Sequence, residues 1–329
     1  MSDNNMKCNF EIENKNEKEE PLANNKKNKF SIKYRLLKIT AKIIGYIILP
    51  IVLIVLFVIL IFYILSPKNN EFLVKYYINN IENEIKLFDD SNNITKSIKL
   101  MIINDKKIKP TSYYKFQDVG TYLMKIEVKK SFTLLSSLFK DCKNLEEIDF
   151  SNFDFEKINN ISYLFSGCSS LKNISWPKSF KKNNISDISY LFYNCKSLTS
   201  KSLPDFETSS LIQMRYAFSN CSFYDIKLSN YITSNVIDIE GLFSFSLLYT
   251  VDLSNFNTSQ LKSMSKIFYR CKNLYSINLQ NFNTSNLVSY QDSFKNISSE
   301  GTLKINSSIF NKSILKELPR SWKIIDVNK

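Results

Sequence analysis

The chain has 329 residues, a formal net charge of +13, only five glycines and no histidine. Without histidine there is no Ser-His-Asp or Cys-His nucleophile, no histidine-ligated metal and no histidine pH switch. Five glycines, at 45, 120, 167, 241 and 301, cannot build a glycine-rich phosphate loop, so only a Ser-Lys or paired-carboxylate enzyme stays open among catalytic classes.

Residues 1–42 are rich in Asn, Lys and Glu at first and then purely basic: Lys26, Lys27, Lys29, Lys33, Arg35, Lys38 and Lys42 stand with no acid among them. This composition predicts a disordered cytoplasmic tail. Ile43 to Leu65 then runs 23 residues without a charge. At about 1.5 Å per residue, such a helix spans a hydrocarbon core of about 30 Å. The run is long for a cleaved signal peptide and lacks a small-residue cleavage site, so it reads as an uncleaved signal anchor. The basic flank lies before the span, which puts the N-terminus in the cytoplasm and all that follows outside or in a lumen. The lipid bilayer is therefore the first partner. The +13 charge also suits acidic partners, but lysines spread without an Arg-aromatic stripe predict no nucleic-acid binding.

Residues 66–96 read as a polar stalk with a helical piece around Phe72–Leu87. Residues 97–131 read as a small β cap with strands at Ser97–Ile103 and Thr121–Val128. From 132 to 300 one unit is repeated. Phe139, Phe165, Phe192, Phe218, Phe243, Phe268 and Phe294 recur at gaps of 26, 27, 26, 25, 25 and 26 residues. Apolar columns stand seven, four and one residue before each Phe, which predicts a short helix or helical turn in each unit. Three residues after the Phe comes Cys142, Cys168, Cys195, Cys221 or Cys271, with Ser246 and Ile297 as exceptions. An L-x-x-L-x-L pattern follows, as in Leu145-Ile148-Phe150 and Leu274-Ile277-Leu279, and it is the strand signature of a leucine-rich repeat.

The predicted fold is an α/β solenoid: a leucine-rich-repeat-like stack of about seven coils of 25–27 residues, after one transmembrane helix and a small β cap. Stacking in register turns each apolar column into a continuous ladder, and both ends need caps. Residues 301–329 supply the second cap, with a strand at 301–305, a short helix in Asn306–Leu318 and a final strand at Trp322–Ile325.

The units "ISYLFSGCSSLKNI" and "LSNFNTSQLKSMSKIFYRCKNLYSINLQNFNTSNLVS" resemble the BspA-like leucine-rich-repeat surface proteins, built on M-F-x-x-C-x-x-L-x-x-L-x-L-S-x-F-x-T-S. That resemblance covers about 132–300. It implies an extracellular, non-enzymatic protein associated with adhesion or host-molecule binding, and it carries over no catalytic or ligand motif.

The ladder cysteines are expected as buried free thiols, because side chains in register point the same way instead of at each other. No C-x-x-C element exists, so no metal is expected, and neither is a cofactor. The N-x-[ST] pattern at Asn257 and Asn283, and at Asn93, Asn160, Asn173, Asn184, Asn220, Asn296, Asn306 and Asn311, would accept glycans in a glycosylating host. The expected binding face is the outward side of the strands, carried by Glu147, Asp149, Asn173, Asp225, Lys227, Asp252 and Asn278. It reads as a polar, mildly acidic strip with few exposed aromatics, suited to an unknown protein or glycan ligand. The chain thus reads as a single-pass, membrane-anchored surface protein for adhesion or macromolecular recognition. The alternative is a coat protein that packs against copies of itself.

Overall fold

A computed structural model describes residues 35, 37–53, 55 and 70–329, except 82, 179, 181–182, 201–202 and 205–207. Residues 1–66 and 67–329 form two separate compact units. In the first, residues 37–53 are helical, with a π-helical turn at Ile44–Ile48. The expected span Ile43–Leu65 lies partly outside the described residues, as does most of the tail. No helix among the described residues is long and apolar enough to cross a membrane.

The second unit is a β-solenoid of about six turns, not the α/β stack that the periodicity predicts. Parallel bridges Asn160–Asp187–Gln213–Asp238–Ser263–Ser289 tie successive coils together. The apolar columns at offsets of three, four and seven do meet in the core, but on turns instead of helices. Residues two before and two after each ladder Phe are left-handed: Ser137 and Asp141 flank Phe139, Tyr190 and Asn194 flank Phe192, and Lys266 and Arg270 flank Phe268. A left-handed residue cannot continue a right-handed helix. Backbone bonding alternates accordingly. Leu138, Lys140 and Cys142 donate to carbonyls three residues back in their own coil. Between them, Ser137, Phe139 and Asp141 donate along the stack to Ser162, Leu164 and Ser166 of the next coil. These turn amides thus find partners without any helix.

The seven Phe rings form one buried column. Phe165 and Phe192 lie 5.9 Å apart at 1°, and Phe243 sits between Phe218 (6.0 Å) and Phe268 (5.9 Å). Beside it runs the cysteine column, and all five ladder cysteines are buried and free. Cys168, Cys195 and Cys221 each donate their thiol to the Phe carbonyl of the preceding coil at 2.9–3.0 Å. Where Ser246 replaces Cys, its hydroxyl meets the Cys271 Sγ at 3.3 Å.

A threonine column recurs at the same period, at gaps of 25, 25 and 26 residues, outside the apolar columns. Thr208, Thr233, Thr258 and Thr284 are all buried. The Thr258 Oγ1 accepts from the Asn283 amide at 2.8 Å and donates to the Asn283 carbonyl at 3.0 Å. Thr233 does the same to Asn257, at 2.8 and 3.1 Å. The F-N-T-S segments read above as glycan acceptors therefore carry a structural role. Their Asn side chains close local turns, with Asn257 and Asn283 Oδ1 accepting from Ser259 and Ser285.

Both ends are capped by sheet. β1 (Glu71–Ile78), β2 (Ile85–Lys86), β3 (Ile98–Ile103), β4 (Lys106–Ile108), β5 (Tyr113–Tyr114) and β6 (Gly120–Val128) precede the coils. β7 (Leu145–Asp149) and β8 (Asn173–Ser175) belong to the first coils, and the large sheet runs β4-β3-β6-β1-β7-β8. The helical piece expected in the stalk at Phe72–Leu87 is instead β1, at the centre of this sheet, with alternate residues Phe72, Val74, Tyr76 and Ile78 buried. Period-two alternation is a strand signal that the apolar count alone concealed. β1 pairs antiparallel with β6 and with β7, and β7 pairs parallel with β8, so the cap hands over to the solenoid along β1. Phe72 closes the first coil against Phe139, Phe150 and Phe153 at 5.5–5.9 Å. At the far end, β9 (Thr250–Asp252), β10 (Ser276–Leu279), β11 (Thr302–Ile305) and β12 (Lys323–Asp326) form a parallel sheet, with a 3-10 turn at Lys312–Glu317.

Candidate recognition face

The L-x-x-L-x-L strands turn their leucines inward, so the residues between them face solvent. Glu147 and Asp149 stand on β7, Asn173 on β8, Asp252 on β9 and Asn278 on β10. Asp225 and Lys227 are exposed on an irregular stretch between β8 and β9. All seven therefore lie along the strand side, but their surroundings differ. The Asp149, Asp252 and Asn278 side chains accept from amides two residues on, at 2.8, 2.9 and 3.2 Å, which ends each strand in a turn. Partial burial pushes the Asp252 carboxyl up, but bonds from Ser254 and Asn278 outweigh it and hold the group below the usual range.

The N-terminal half of this face is completed by the cap. Register places Leu73 of β1 opposite Asp149 and Lys75 opposite Glu147, while β6 sets Leu123 opposite Lys75. Lys75 Nζ bridges to Glu147 at 3.2 Å, and the Asn173 amide reaches the same carboxylate at 3.4 Å. Leu73 and Leu123 remain 45% and 62% exposed. Together with Glu147, Asp149, Asn173 and Ser175 they line a shallow groove of about 220 Å³. An apolar centre inside a charged rim is the layout of protein recognition surfaces. Leu73 and Lys75 fall in the stretch read as stalk. The alternation along 71–78 is the signal that would have found them.

The family model described as "Mycoplasma protein of unknown function, DUF285" matches residues 87–206 and again 186–307. The chain belongs to the DUF285 family. Its two matched stretches overlap and run from the cap through the whole ladder to the C-terminal sheet. No curated protein and no solved structure matches the chain.

The C-terminal half of the DUF285 strand face is aromatic, against the expectation of few exposed aromatics. Tyr224, Tyr249 and Tyr275 follow the first core residue of three consecutive L-x-x-L units and are 55%, 45% and 51% exposed. Tyr224 and Tyr249 stack at 5.7 Å and Tyr275 lies 6.3 Å from Tyr249, tilted by 35°, beside Asp225, Lys227, Asp252 and Asn278. Their recurrence at gaps of 25 and 26 residues was present in the sequence. Earlier coils hold Glu146 and Lys172 in this column, and the two are ion-paired.

The turn side carries a second cluster that sequence reasoning missed. Tyr163, Tyr190 and Tyr216 stack at 4.5 and 5.0 Å. Gly241 follows them because a Cβ there would lie 2.1 Å from the Tyr216 ring, at φ +60°. Arg215 bridges to Glu240 at 2.5 Å and to Asp238 at 3.5 Å, and the Tyr216 hydroxyl donates to Glu240 at 2.9 Å. Burial first, and then the hydrogen bond to Glu240, push the Tyr216 hydroxyl well up. These ion pairs tie neighbouring turns together, although the buried Arg215 Nε makes no hydrogen bond. No group of three or more metal-ligating side chains occurs among the described residues.

Proposed function

We propose that this protein is a membrane-anchored cell-surface repeat protein that recognises a macromolecule through its strand face and catalyses no reaction. The carrying observation is the face itself: exposed Leu73 and Leu123 in a charged rim at the cap end of the strand side, and an exposed tyrosine column on its later coils. Aromatic and apolar anchors within a polar surround supply most binding energy at protein interfaces. The in-register coils hold them rigid, which lowers the ordering cost of association. The likeness of the repeat to BspA-like surface proteins agrees with this reading. The uncharged run Ile43–Leu65, its basic flank, and the exposed Ile43, Ile44, Leu49, Ile51 and Leu53 of helix 37–53 support the anchor, with lipid as the covering medium.

Protease shaving of intact cells tests the topology. Fragments of 66–329 should be released while 1–42 stays protected, and the reverse pattern would invert the orientation. Beads coated with the full chain should adhere to a host cell layer, and Leu123→Glu should abolish adhesion. Undiminished adhesion by that variant would remove the face from the mechanism. One observation favours the coat alternative: β12 is an open sheet edge with Ile324 and Ile325 exposed. If self-association is the role, Ile325→Lys should convert oligomers to monomers in sedimentation.

A further inference from the structure

The exposed tyrosine column ends abruptly. Register pairs Ser276 with Thr302, so the position after Tyr275 on the next coil is Gly301. No side chain fits there: a Cβ at Gly301 would lie 2.5 Å from the Tyr275 carbonyl and 2.6 Å from the Trp322 ring. Trp322 is itself fixed, 7% exposed with Nε1 donating to the Ser298 carbonyl at 2.8 Å. The C-terminal cap thus keeps the last ladder position vacant. Beyond Tyr275 lies an open groove of about 710 Å³, lined by Tyr275, Ser276, Glu300, Gly301, Thr302, Ser321 and Lys323. That size falls within the range of about 300–1,000 Å³ of small-ligand sites.

We propose that this groove binds one pyranose ring of a surface glycan, stacked on the uncovered side of Tyr275. This assignment rests on the recognition role above and names its ligand class. Three features select a sugar. An aromatic face is electron-rich and attracts the weakly positive C–H face of a pyranose. The Thr302 hydroxyl already donates to Ser276 and the Ser321 hydroxyl to the Ser299 carbonyl, so the walls offer their remaining acceptor sites, the Ser276 hydroxyl, a carboxylate and an ammonium to the hydroxyl rim of a sugar, and leave an apolar peptide side chain without partners. Glu300 and Lys323 cancel in charge, which suits a neutral ring better than a phosphate backbone. Tyr249, 6.3 Å behind and tilted by 35°, backs the Tyr275 ring on one side before the ligand arrives.

Saturation-transfer NMR on the full chain in amine-oxide micelles, with methyl pyranosides of glucose, galactose, mannose and N-acetylglucosamine, tests it. At least one sugar should receive transfer strongest at the C–H protons of a single ring face. Tyr275→Phe should bind within about twofold of the native chain, and Tyr275→Ala should weaken binding about tenfold or more. Val119→Ala, exposed on a loop of the N-terminal cap away from this groove, should change nothing. Absence of transfer to every pyranoside at millimolar concentration, or full binding by a folded Tyr275→Ala chain, overturns the proposal. Cell adhesion that survives Tyr275→Ala but is lost with Leu123→Glu would sink the sugar site and leave the recognition role standing.

Discussion

Thr258 offers the sharpest test of how the coils are held together. Its hydroxyl closes two bonds to one peptide of the next coil, at 2.8 Å from the Asn283 amide and 3.0 Å to the Asn283 carbonyl, in a site 3% exposed. Valine matches threonine in shape, so Thr258→Val opens little cavity but leaves a buried donor and acceptor without partners. Each costs about 1–3 kcal/mol, and the total is about 1–5 kcal/mol after the added methyl is credited. Thr258→Ser keeps both bonds and loses one methyl, about 0.8 kcal/mol. Urea unfolding of the full chain, followed by circular dichroism, should therefore rank the native chain above Thr258→Ser and Thr258→Val last. The midpoint should fall with an unchanged slope. If Thr258→Val proves as stable as Thr258→Ser, the hydroxyl is not the coil-to-coil fastener, and the column is merely a set of small side chains.

Phe243→Ala removes a fully buried ring stacked on both sides, and should cost about 3–5 kcal/mol in the same unfolding assay; a change within the range of a surface substitution would contradict the stacked core. Burial pushes the Cys271 thiol up from 9.0 to about 11, against bonds from Ser246 that lower it. The unfolded chain thus loses this proton first, so stability contributed by the site is intact below pH 9 and declines between 9 and about 11. Cys271→Ala should flatten that part of the stability profile, and native protein at pH 9 should resist iodoacetamide at all five ladder thiols until urea is added. Partial burial raises the Asp89 carboxyl, but bonds from Lys86 and Ser91 outweigh it and hold the group at about 2. Its contribution is present above pH 3.8 and lost as the pH falls towards 2, so Asp89→Asn should be less stable than the native chain at pH 7 and indistinguishable from it near pH 2.

Much of the solenoid could be read from the chain because its signal is additive. A side chain that repeats every 25–27 residues lies over its own copies in the neighbouring coils, so Phe, Cys and Leu columns announce the stack by recurrence alone. The backbone state within the coil could not be read the same way. Offsets of three, four and seven fit a helix, but they fit equally a run of turns in which every second residue points its amide along the stack. That alternation exists only when a neighbouring coil offers carbonyls, as Leu164 does to Phe139. The F-N-T-S segments show the same limit: their threonines look like part of a modification signal until the next coil brings Asn283 within bonding distance.

Sequence by itself determined the ladder, its period and which residues line the strands, because each follows from local spacing repeated many times. The tertiary structure decided what covers the first coil and which side chains complete the face. β1 lies between β6 and β7, and its pairing brings Leu73 and Lys75 beside Glu147 and Asp149, about seventy residues later in the chain. Such a meeting depends on long-range strand register, which no local pattern encodes. The vacancy after Tyr275 is of the same kind, since it is created by Trp322 folding back over Gly301.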